Sequence, residues 1–432
     1  MIVFILRRFF LLLLTMILVS LAVFIIAESS PGNIAKNVLG AFITPEQEAA
    51  FIRQNGLDQP MYVRYLHWIA GNDWVAEKKI GMPLKRITTE EGFEEWWAVK
   101  EDGSLIRWKV DGDDLVAINL LPDGQKTEYV DNDRWNTIKD GKQEFWGIDR
   151  QNHAVRWVKG EIETMFVFVM GKGWMESSGG PKDYIPLKKG FVRGDPGISF
   201  RTGRPVNKSL WTRLRNSVVL AGTAFVIVMP LALLLGMIAG LQEGSLKDRF
   251  LSVGGMMFSV VPEFATGIFL TLIFSVWLGW LPGAAVLGTS APWEKPMMLI
   301  LPVLTLTLIE LGYILRITRA SMVEVMKSPY IRTAFLKGLP YKKVVFKHAV
   351  KNALIAPITV IMLHVNWLLG GIVIVEVVFG YPGLGAYLLE SALYKDFNAL
   401  EAGAMIMVLV AVGTQLVADI IYTFLNPRIR YA

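Results

Sequence analysis

Charged and polar side chains inside long apolar runs are the first candidates for chemistry, because a charge in lipid is costly and such residues usually have a function. The runs of this sequence contain Glu263, Glu310, Glu376 and His364, together with the polar Asn366 and Gln415. Glu310 lies near the middle of its run, where it could face a water-filled path or form a hydrogen bond between helices. Glu376 lies near the end of its run, and we interpret it as structural.

Other kinds of chemistry are poorly supported. The chain has no cysteine, which excludes disulfides, thiol nucleophiles and cysteine–zinc sites. Its four histidines are dispersed, which disfavours a metal site. The phosphate-binding pattern G-x-x-x-x-G-K-[S/T] does not occur, so any nucleotide must be handled by another polypeptide. We therefore expect no catalytic site, no metal and no cofactor. The scattered net charge of +6 does not indicate a nucleic-acid partner.

About six apolar runs are long enough to cross a membrane, which takes roughly 20 residues. They lie near residues 9–27, 217–240, 253–278, 297–315, 354–379 and 402–425. The first run is longer than the core of a signal peptide, and we read it as a retained helix. The sequence thus predicts an all-α, multi-pass membrane protein.

The basic residues indicate how the chain is oriented. Lys and Arg crowd the segment between the fourth and fifth runs, from Arg316 to Lys351, where the only acid is Glu324. Arg7 and Arg8 precede the first run, and Arg428 and Arg430 follow the last. Short loops rich in Lys and Arg stay in the cytoplasm. We expect this basic loop and both termini inside the cell, and the long segment between the first two runs outside.

The segment 72–190 has the composition of a β domain. It holds eight of the 14 tryptophans and four Asp-Gly pairs, whose residues tolerate the positive φ of hairpin turns. Trp97-Ala98-Val99 and Ile106-Arg107-Trp108 recur about 49 residues later as Trp146-Gly147-Ile148 and Val155-Arg156-Trp157. We predict an antiparallel β insert of two related four-stranded sheets, stacked face to face. Its aromatic residues either fill a core or form a docking surface for a partner outside the membrane.

The basic loop 318–352 has the signals of two short helices. Pro329 suits the first position of one helix, Gly338 suits its end, and Pro340 starts a second. Tyr330, Ala334 and Lys337 share a face of the first helix, since they are four and then three positions apart. Two short helices joined at a glycine would form a rigid knob that transmits force. The alternative is a solvated basic surface.

These residues resemble a known family. Arg332-Thr333-Ala334 and Gly338, followed by Leu354-Ile355-Ala356-Pro357, resemble the ATPase-docking loop of ABC importer permeases, in the dipeptide/oligopeptide/nickel family. The resemblance covers roughly 1–70 and 191–432, including 30–33, 201–206, 379–385 and 426–430, and leaves the insert outside. The acidic residue usual in the loop is missing here, so no carboxylate contact with an ATPase can be transferred.

The resemblance implies partners and roles. The chain would be a non-catalytic permease subunit in a bacterial inner membrane, paired with a second permease, two cytoplasmic ATPases and an external binding protein. The domains would be 1–71, the insert 72–190 and the permease core 191–432. The residues implied for ATPase docking are Tyr330, Thr333, Ala334, Lys337, Gly338 and Leu339. The candidates for the translocation pathway are Glu310, His364, Asn366 and Glu376, and those for an external turn are Pro382, Gly383 and Gly385.

The transported solute stays open at this stage. Peptides lead, and nickel, oligosaccharides or other small solutes are alternatives within the family. A membrane scaffold or receptor that uses the β insert is a rival, although the cytoplasmic segments are too short for an effector domain. A membrane-embedded hydrolase is disfavoured, because His364 has no partner motif.

Overall fold

The computed structural model describes residues 2–29, 33–40, 42–89, 94–122, 124–137, 141–161, 163–169 and 173–425. The family-like segments at 30–32 and 426–430, and with them Arg428 and Arg430, lie outside these residues, as do the side chains of Arg8, Trp174 and Asn366. The chain divides into two compact units. One comprises Met1–Val19, Leu210–Glu390 and Gly403–Ala432, and the other comprises Ser20–Ser209 and Ser391–Ala402.

Helices dominate both ends of the chain. Among the described residues, five helices precede the β region: α1 (Ile2–Ser29), α2 (Ile34–Leu39), α3 (Pro45–Gln54), α4 (Met61–Ala70) and α5 (Asp73–Ile80). Ten helices follow it up to residue 425, where the description ends: α6 (Val206–Leu241), α7 (Leu246–Val260), α8 (Glu263–Thr271), α9 (Met297–Met326), α10 (Pro329–Leu336), α11 (Tyr341–Lys343), α12 (Val350–Ala353), α13 (Ile355–Val378), α14 (Leu384–Leu393) and α15 (Phe397–Leu425). Two π-helical segments, Leu272–Trp277 and Val344–Ala349, follow α8 and α11.

Five helical stretches in the described residues are long and apolar enough to cross a membrane, or six if the bent pair α7–α8 counts as one span. The five are Phe9–Ser29, Val206–Leu241, Met297–Met326, Tyr341–Met362 and Phe397–Ala418. This agrees with the predicted helical membrane fold.

The predicted span over 253–278 is present as the bent pair α7–α8. Helices α7 and α8 meet at an angle of 105°. Val261 has an extended backbone (ψ 131°) and Pro262 precedes α8. A proline has no N–H to donate and pushes the residue before it out of the helical region. The apolar run therefore continues through a sharp turn.

Small residues bring α7 and α9 close together. A side-chain carbon on Gly312 of α9 would collide with the Gly255 carbonyl and the Ser259 hydroxyl of α7. The Ser259 hydroxyl donates to the Ile309 carbonyl at 3.2 Å. Arg319 of α9 also binds the Asp248 carboxylate through two nitrogens, at 2.5 and 2.7 Å. Close approach at glycines and a polar link are typical of helix pairs in membranes.

The β region lies between α5 and α6, and its described residues form three antiparallel sheets. Strands β1 (Leu84–Thr88), β2 (Glu94–Val99), β3 (Leu105–Asp111), β4 (Asp114–Leu120) and β5 (Lys126–Val130) make a five-stranded meander. Strands β6 (Asn136–Thr137), β7 (Gln143–Ile148), β8 (His153–Val158) and β11 (Asp183–Pro186) make a four-stranded sheet in the order β11-β8-β7-β6. Strands β9 (Glu163–Val169) and β10 (Gly173–Gly180) form a separate hairpin.

The two larger sheets share one core. Trp108 of the first sheet packs edge-on against Phe145 of the second, with ring centroids 5.1 Å apart, and Trp157 stacks on Phe145 at 6.1 Å. The hairpins that echo each other in sequence also have the same register, since Ala98 pairs with Ile106 and Gly147 with Val155. The prediction of four strands in each sheet was wrong for the first, because the turn at Gly124 adds a fifth strand.

Most of the described tryptophan side chains of the segment 72–190 are buried rather than on a docking surface, in the shared core or, for Trp97, in a separate cluster with Leu105 and Ile118. Trp96, Trp97, Trp108, Trp135 and Trp157 are buried. Trp146 is partly buried beneath the Lys79 ammonium, which lies 4.2 Å from the ring centroid. Trp74 is the exception among the described side chains, with 63% of its surface exposed.

The β region begins and ends at one point. The Asn72 amide donates to the Pro186 carbonyl at 2.8 Å, and its oxygen accepts from the Lys188 backbone N–H at 2.7 Å. The Asn72 N–H in turn donates to the Lys188 carbonyl at 2.9 Å. We call these three bonds the Asn72 clasp. Gly71 and Gly190 face each other there with no room for a side chain, and both have positive φ.

Candidate functional site

The basic loop folds as a compact helical knob on the end of α9. Ser328 and Pro329 begin α10, Gly338 ends it with φ 74°, and Pro340 precedes α11. Because only a residue without a side chain adopts that φ easily, Gly338 sets the angle between the two helices.

The knob has its own apolar core, which fixes its shape. Its buried members are Met322, Ile331, Ala334, Val344, Val345, Ala349 and Ala353. The Ser321 hydroxyl of α9 donates to the Ala353 carbonyl at 2.7 Å and ties the far end of the knob to that helix. The knob is thus joined to α9 by apolar packing at Met322 and by this hydrogen bond.

The residues predicted to dock an ATPase divide into two groups. Ala334 is buried in the knob and Leu339 packs against its core, so both hold the fold of the loop. Tyr330, Thr333 and Lys337 are on the exposed side. The Asn352 amide donates to the Tyr330 hydroxyl at 2.9 Å, and the Thr333 hydroxyl donates to the Pro329 carbonyl at 3.0 Å.

The sequence reasoning missed a set of exposed apolar side chains on this knob. Leu336 is 79% exposed and Phe346 is 73% exposed. Phe335 and Tyr341 stack on each other at 6.1 Å, and both are also exposed. Tyr341 and Phe346 belong to the stretch Tyr341–Met362, which is apolar enough to cross a membrane, whereas Phe335 and Leu336 lie before it in α10. Large apolar residues on a basic loop are candidates for an interaction surface. We call Phe335, Leu336, Tyr341 and Phe346 the knob tip. The sequence did contain a signal for them, because these four apolar residues do not belong to the buried face of the knob helices.

Glu310 forms a polar contact in the middle of α9. It is 1% exposed, and His364 Nδ1 lies 3.0 Å from its Oε2. The Tyr313 ring packs against the His364 ring at a tilt of 31°, with the ring centroids 4.4 Å apart. Glu310 Oε1 is buried without a hydrogen-bond partner. The structure thus brings together two of the predicted pathway residues, 54 positions apart in sequence, and leaves one acceptor unsatisfied.

Glu376 instead holds a turn. Its carboxylate accepts from the Ser217 hydroxyl and, at 3.0 Å, from the Ala386 N–H. The Ser217 hydroxyl also accepts from the Leu384 N–H at 2.7 Å. A side chain on Gly383 would collide with the Glu376 carboxylate. The predicted turn residues Pro382, Gly383 and Gly385 therefore wrap around this carboxylate, which acts as their scaffold.

Comparison with known proteins identifies the family. The profile described as the binding-protein-dependent transport system inner membrane component matches residues 232–431, and the profile of the N-terminal part of such components matches 1–82. A dipeptide transport system permease protein of Alkalihalophilus pseudofirmus is 32% identical over 268 residues, which cover 56% of this chain and 79% of that protein. This chain belongs to the family of ABC importer permeases.

Two further relatives support that assignment for this permease. A glutathione transport system permease protein of Shigella flexneri is 37% identical over 243 residues, 56% of this chain and 76% of its own. An oligopeptide transport system permease protein of Bacillus subtilis is 32% identical over 252 residues, 57% of this chain and 80% of its own. This permease is therefore a multi-pass membrane subunit of an ABC importer.

Proposed function

We propose that this permease imports short peptides delivered by an external binding protein, and that two ATPases drive it through the knob. The relatives named for dipeptide, oligopeptide and glutathione transport support the substrate class. The observation that carries the mechanism is a rigid knob, tied to α9, that leaves apolar side chains uncovered on a basic surface.

The knob converts motion in its partners into motion of the membrane helices. An ATPase that covers the knob tip would bury Leu336 and Phe346, and each buried side chain of that size contributes about 2 kcal/mol. The core of the knob and the Ser321–Ala353 hydrogen bond then pass a displacement to α9. Alternating access requires such a rigid-body link between two states.

The distribution of basic residues supports an orientation of the chain across the membrane. We propose that the knob and both termini face the cytoplasm, and that the segment 72–190, which holds the β region, faces outside. A second permease completes the pathway, beside the Glu310–His364 contact. The nucleotide is bound by the partner ATPases.

Co-purification and uptake test this proposal together. The permease, expressed with the products of its neighbouring transport genes, should bring down two ATPases and a second permease, and the complex in vesicles should take up a labelled dipeptide on addition of ATP. Leu336→Asp should lower the ATPase recovered by at least about tenfold, because a charge replaces the buried contact.

Lys342→Gln is the matched control, since it changes an exposed residue of the same loop outside the knob tip. It should recover the ATPase nearly as well as the native chain. Normal ATPase recovery and dipeptide uptake with Leu336→Asp would show that the knob tip is not the docking surface. Recovery of the complex without uptake of any peptide would indicate that the substrate belongs to another class of solute.

A further inference from the structure

A cavity of about 370 Å³ opens in the unit that contains the β region, and no part of the transport mechanism above uses it. Small-molecule sites in proteins begin at about 300 Å³. Its walls come from α2, α3, β1, β2, the segment 186–203 and the start of α15. All of these belong to one compact unit.

The walls combine apolar surface with charge. Phe51 and Phe200, whose rings meet edge-on at 6.4 Å, line the cavity with Trp96 and Leu187. Ligand sites typically have this composition, with a few polar groups that fix orientation. The charged groups of the lining are therefore the ones that select a ligand.

One group of charges has an excess of carboxylate. The Arg86 guanidinium binds Asp195 through one nitrogen and Glu94 through the other, at 2.8 Å for Glu94. Asp195 also accepts from the backbone N–H groups of Gly197 and Lys189. Two carboxylates thus share one guanidinium. Burial raises the pKa of the Glu94 carboxyl, although Arg86 opposes it. Lys189 also attracts the Glu94 carboxylate, but only Arg86 forms ion pairs with Glu94 and Asp195 in the described residues. A cation in the cavity would contact both carboxylates directly.

Other cations of the lining come from the segment 186–203. Lys188 lines the same cavity, and its ammonium forms no ion pair within the described part of the chain. Burial lowers the pKa of Lys188 to about 8. Arg201 adds a third cation to the lining, and its guanidinium lies 3.8 Å above the Tyr394 ring. Asp195 attracts this ammonium from a distance, but no carboxylate contacts it in the described residues, so an anion in the cavity would contact it directly.

We propose that this cavity binds a small zwitterion with an apolar body, its carboxylate at Lys188 and its ammonium at Glu94 and Asp195. An amino acid and a short peptide with free ends share this chemistry. The inference does not rest on transport, so the site can be tested on the full-length permease alone in lipid nanodiscs, without ATPases or a binding protein.

The dipeptide Leu-Phe is the probe, with binding followed by calorimetry. It should bind, and both its N-acetyl form and its C-terminal amide should bind at least tenfold more weakly, because each lacks one charge. Free phenylalanine carries the same two charged groups on a smaller molecule. If it binds more tightly than Leu-Phe, the site is one for amino acids. Equal affinity for the free and the blocked dipeptides, or no binding of dipeptide and amino acid, overturns the proposal.

Two substitutions distinguish the ends of the site. Lys188→Gln should weaken Leu-Phe about tenfold and leave the affinity for its amide unchanged. Glu94→Gln should weaken Leu-Phe and leave the N-acetyl form unchanged. Lys85→Gln and Glu101→Gln, at exposed positions away from the lining, are the matched controls. A uniform loss for all three ligands would indicate a structural role for the substituted residue and count against the assignment.

The pH dependence of Leu-Phe affinity is a further test, because it would not change if Lys188 had only a structural role. The ratio of Leu-Phe affinities between the native chain and Lys188→Gln should fall from about tenfold to near one as pH rises through about 8, where Lys188 loses its proton. The titration of the dipeptide's own amine cancels in this ratio. The charged groups around Lys188 are Arg64 and His67 of α4, Asp195, and the carboxyls of Glu28 and Glu401. A ratio independent of pH would contradict a contact with the ammonium.

Discussion

Two carboxyl groups in apolar helices, those of Glu310 and Glu376, have different surroundings in this permease. Glu376 has donors for both of its oxygens and shapes a turn. Glu310 has one oxygen beside His364 and the other with no partner. A buried polar atom left unsatisfied costs about 1–3 kcal/mol, so it is usually retained for a function. This difference favours Glu310 over Glu376 as a residue of the pathway.

Glu310→Gln should lower ATP-driven dipeptide uptake about tenfold while ATPase and second permease still co-purify. The amide keeps the shape and a contact with His364 but removes the charge. Uptake into vesicles at equal complex density is the measurement. Glu263→Gln, at the start of α8, is the matched control and should transport normally. Unimpaired uptake by Glu310→Gln would remove this carboxyl from the pathway.

Gly383→Ala should destabilise the turn around Glu376. The added methyl group would collide with a carboxylate that Ser217 and Ala386 already hold. Overpacking of this kind costs about 1–3 kcal/mol, so the midpoint of thermal unfolding should fall by several degrees. Gly222→Ala in α6, where nothing lies within 4 Å of the new carbon, should leave the midpoint unchanged or raise it. An equal effect of both substitutions would argue against the collision.

At the level of elements, the crossing of α7 and α9 depends on the absence of side chains. Gly312 lies against the Gly255 carbonyl, so the two backbones touch. In a membrane such contact replaces the hydrophobic driving force that lipid cannot supply. The Arg319–Asp248 pair then fixes the register of the two helices.

Gly312→Ala should therefore separate these helices and reduce the yield of monodisperse protein in size-exclusion chromatography. Gly254→Ala lies one position from the crossing, on the open side of α7, and its new methyl group meets nothing within 4 Å. It should elute like the native chain. A monodisperse Gly312→Ala protein of native thermal stability would show that the helices tolerate a wider spacing.

The backbone preferences of single residues allowed the boundaries of elements to be predicted from the sequence. Contacts between residues far apart in sequence could not be predicted in this way. Pro329, Gly338 and Pro340 set the helices of the knob through their own backbone preferences. The turn at Asn152, between the repeated strands β7 and β8, has φ 68°. The bend at Pro262 was missed because the apolar composition on both sides masked it. The Glu310–His364 contact and the charges of the cavity join residues far apart, which no periodicity reveals.

For the whole molecule, the β region is an excursion that leaves and returns at the Asn72 clasp. Its core lies within its own strands, where Trp108, Phe145 and Trp157 join the two sheets. The family profiles match 1–82 and 232–431, on either side of most of it. We therefore expect the helices that follow to fold without it.

Replacement of 72–190 by a short Gly-Ser linker should give a membrane-inserted protein that still recovers its ATPases and loses Leu-Phe binding. A short linker suffices because Gly71 and Gly190 are already in contact. Membrane fractionation and co-purification are the measurements, with Lys85→Gln in the intact chain as the control for Leu-Phe binding. Disappearance of the shortened protein from the membrane would show that the β region is integral to the helical part.

The Asn72 clasp also bears on the order of events during synthesis. The clasp and both large sheets use residues up to Lys188, and the next long apolar helix begins only at Val206. All the strands and the bonds that close them are thus available once about 190 residues have left the ribosome. The β region can reach its native form while most of the membrane helices have not yet been translated, so its folding need not wait for their insertion.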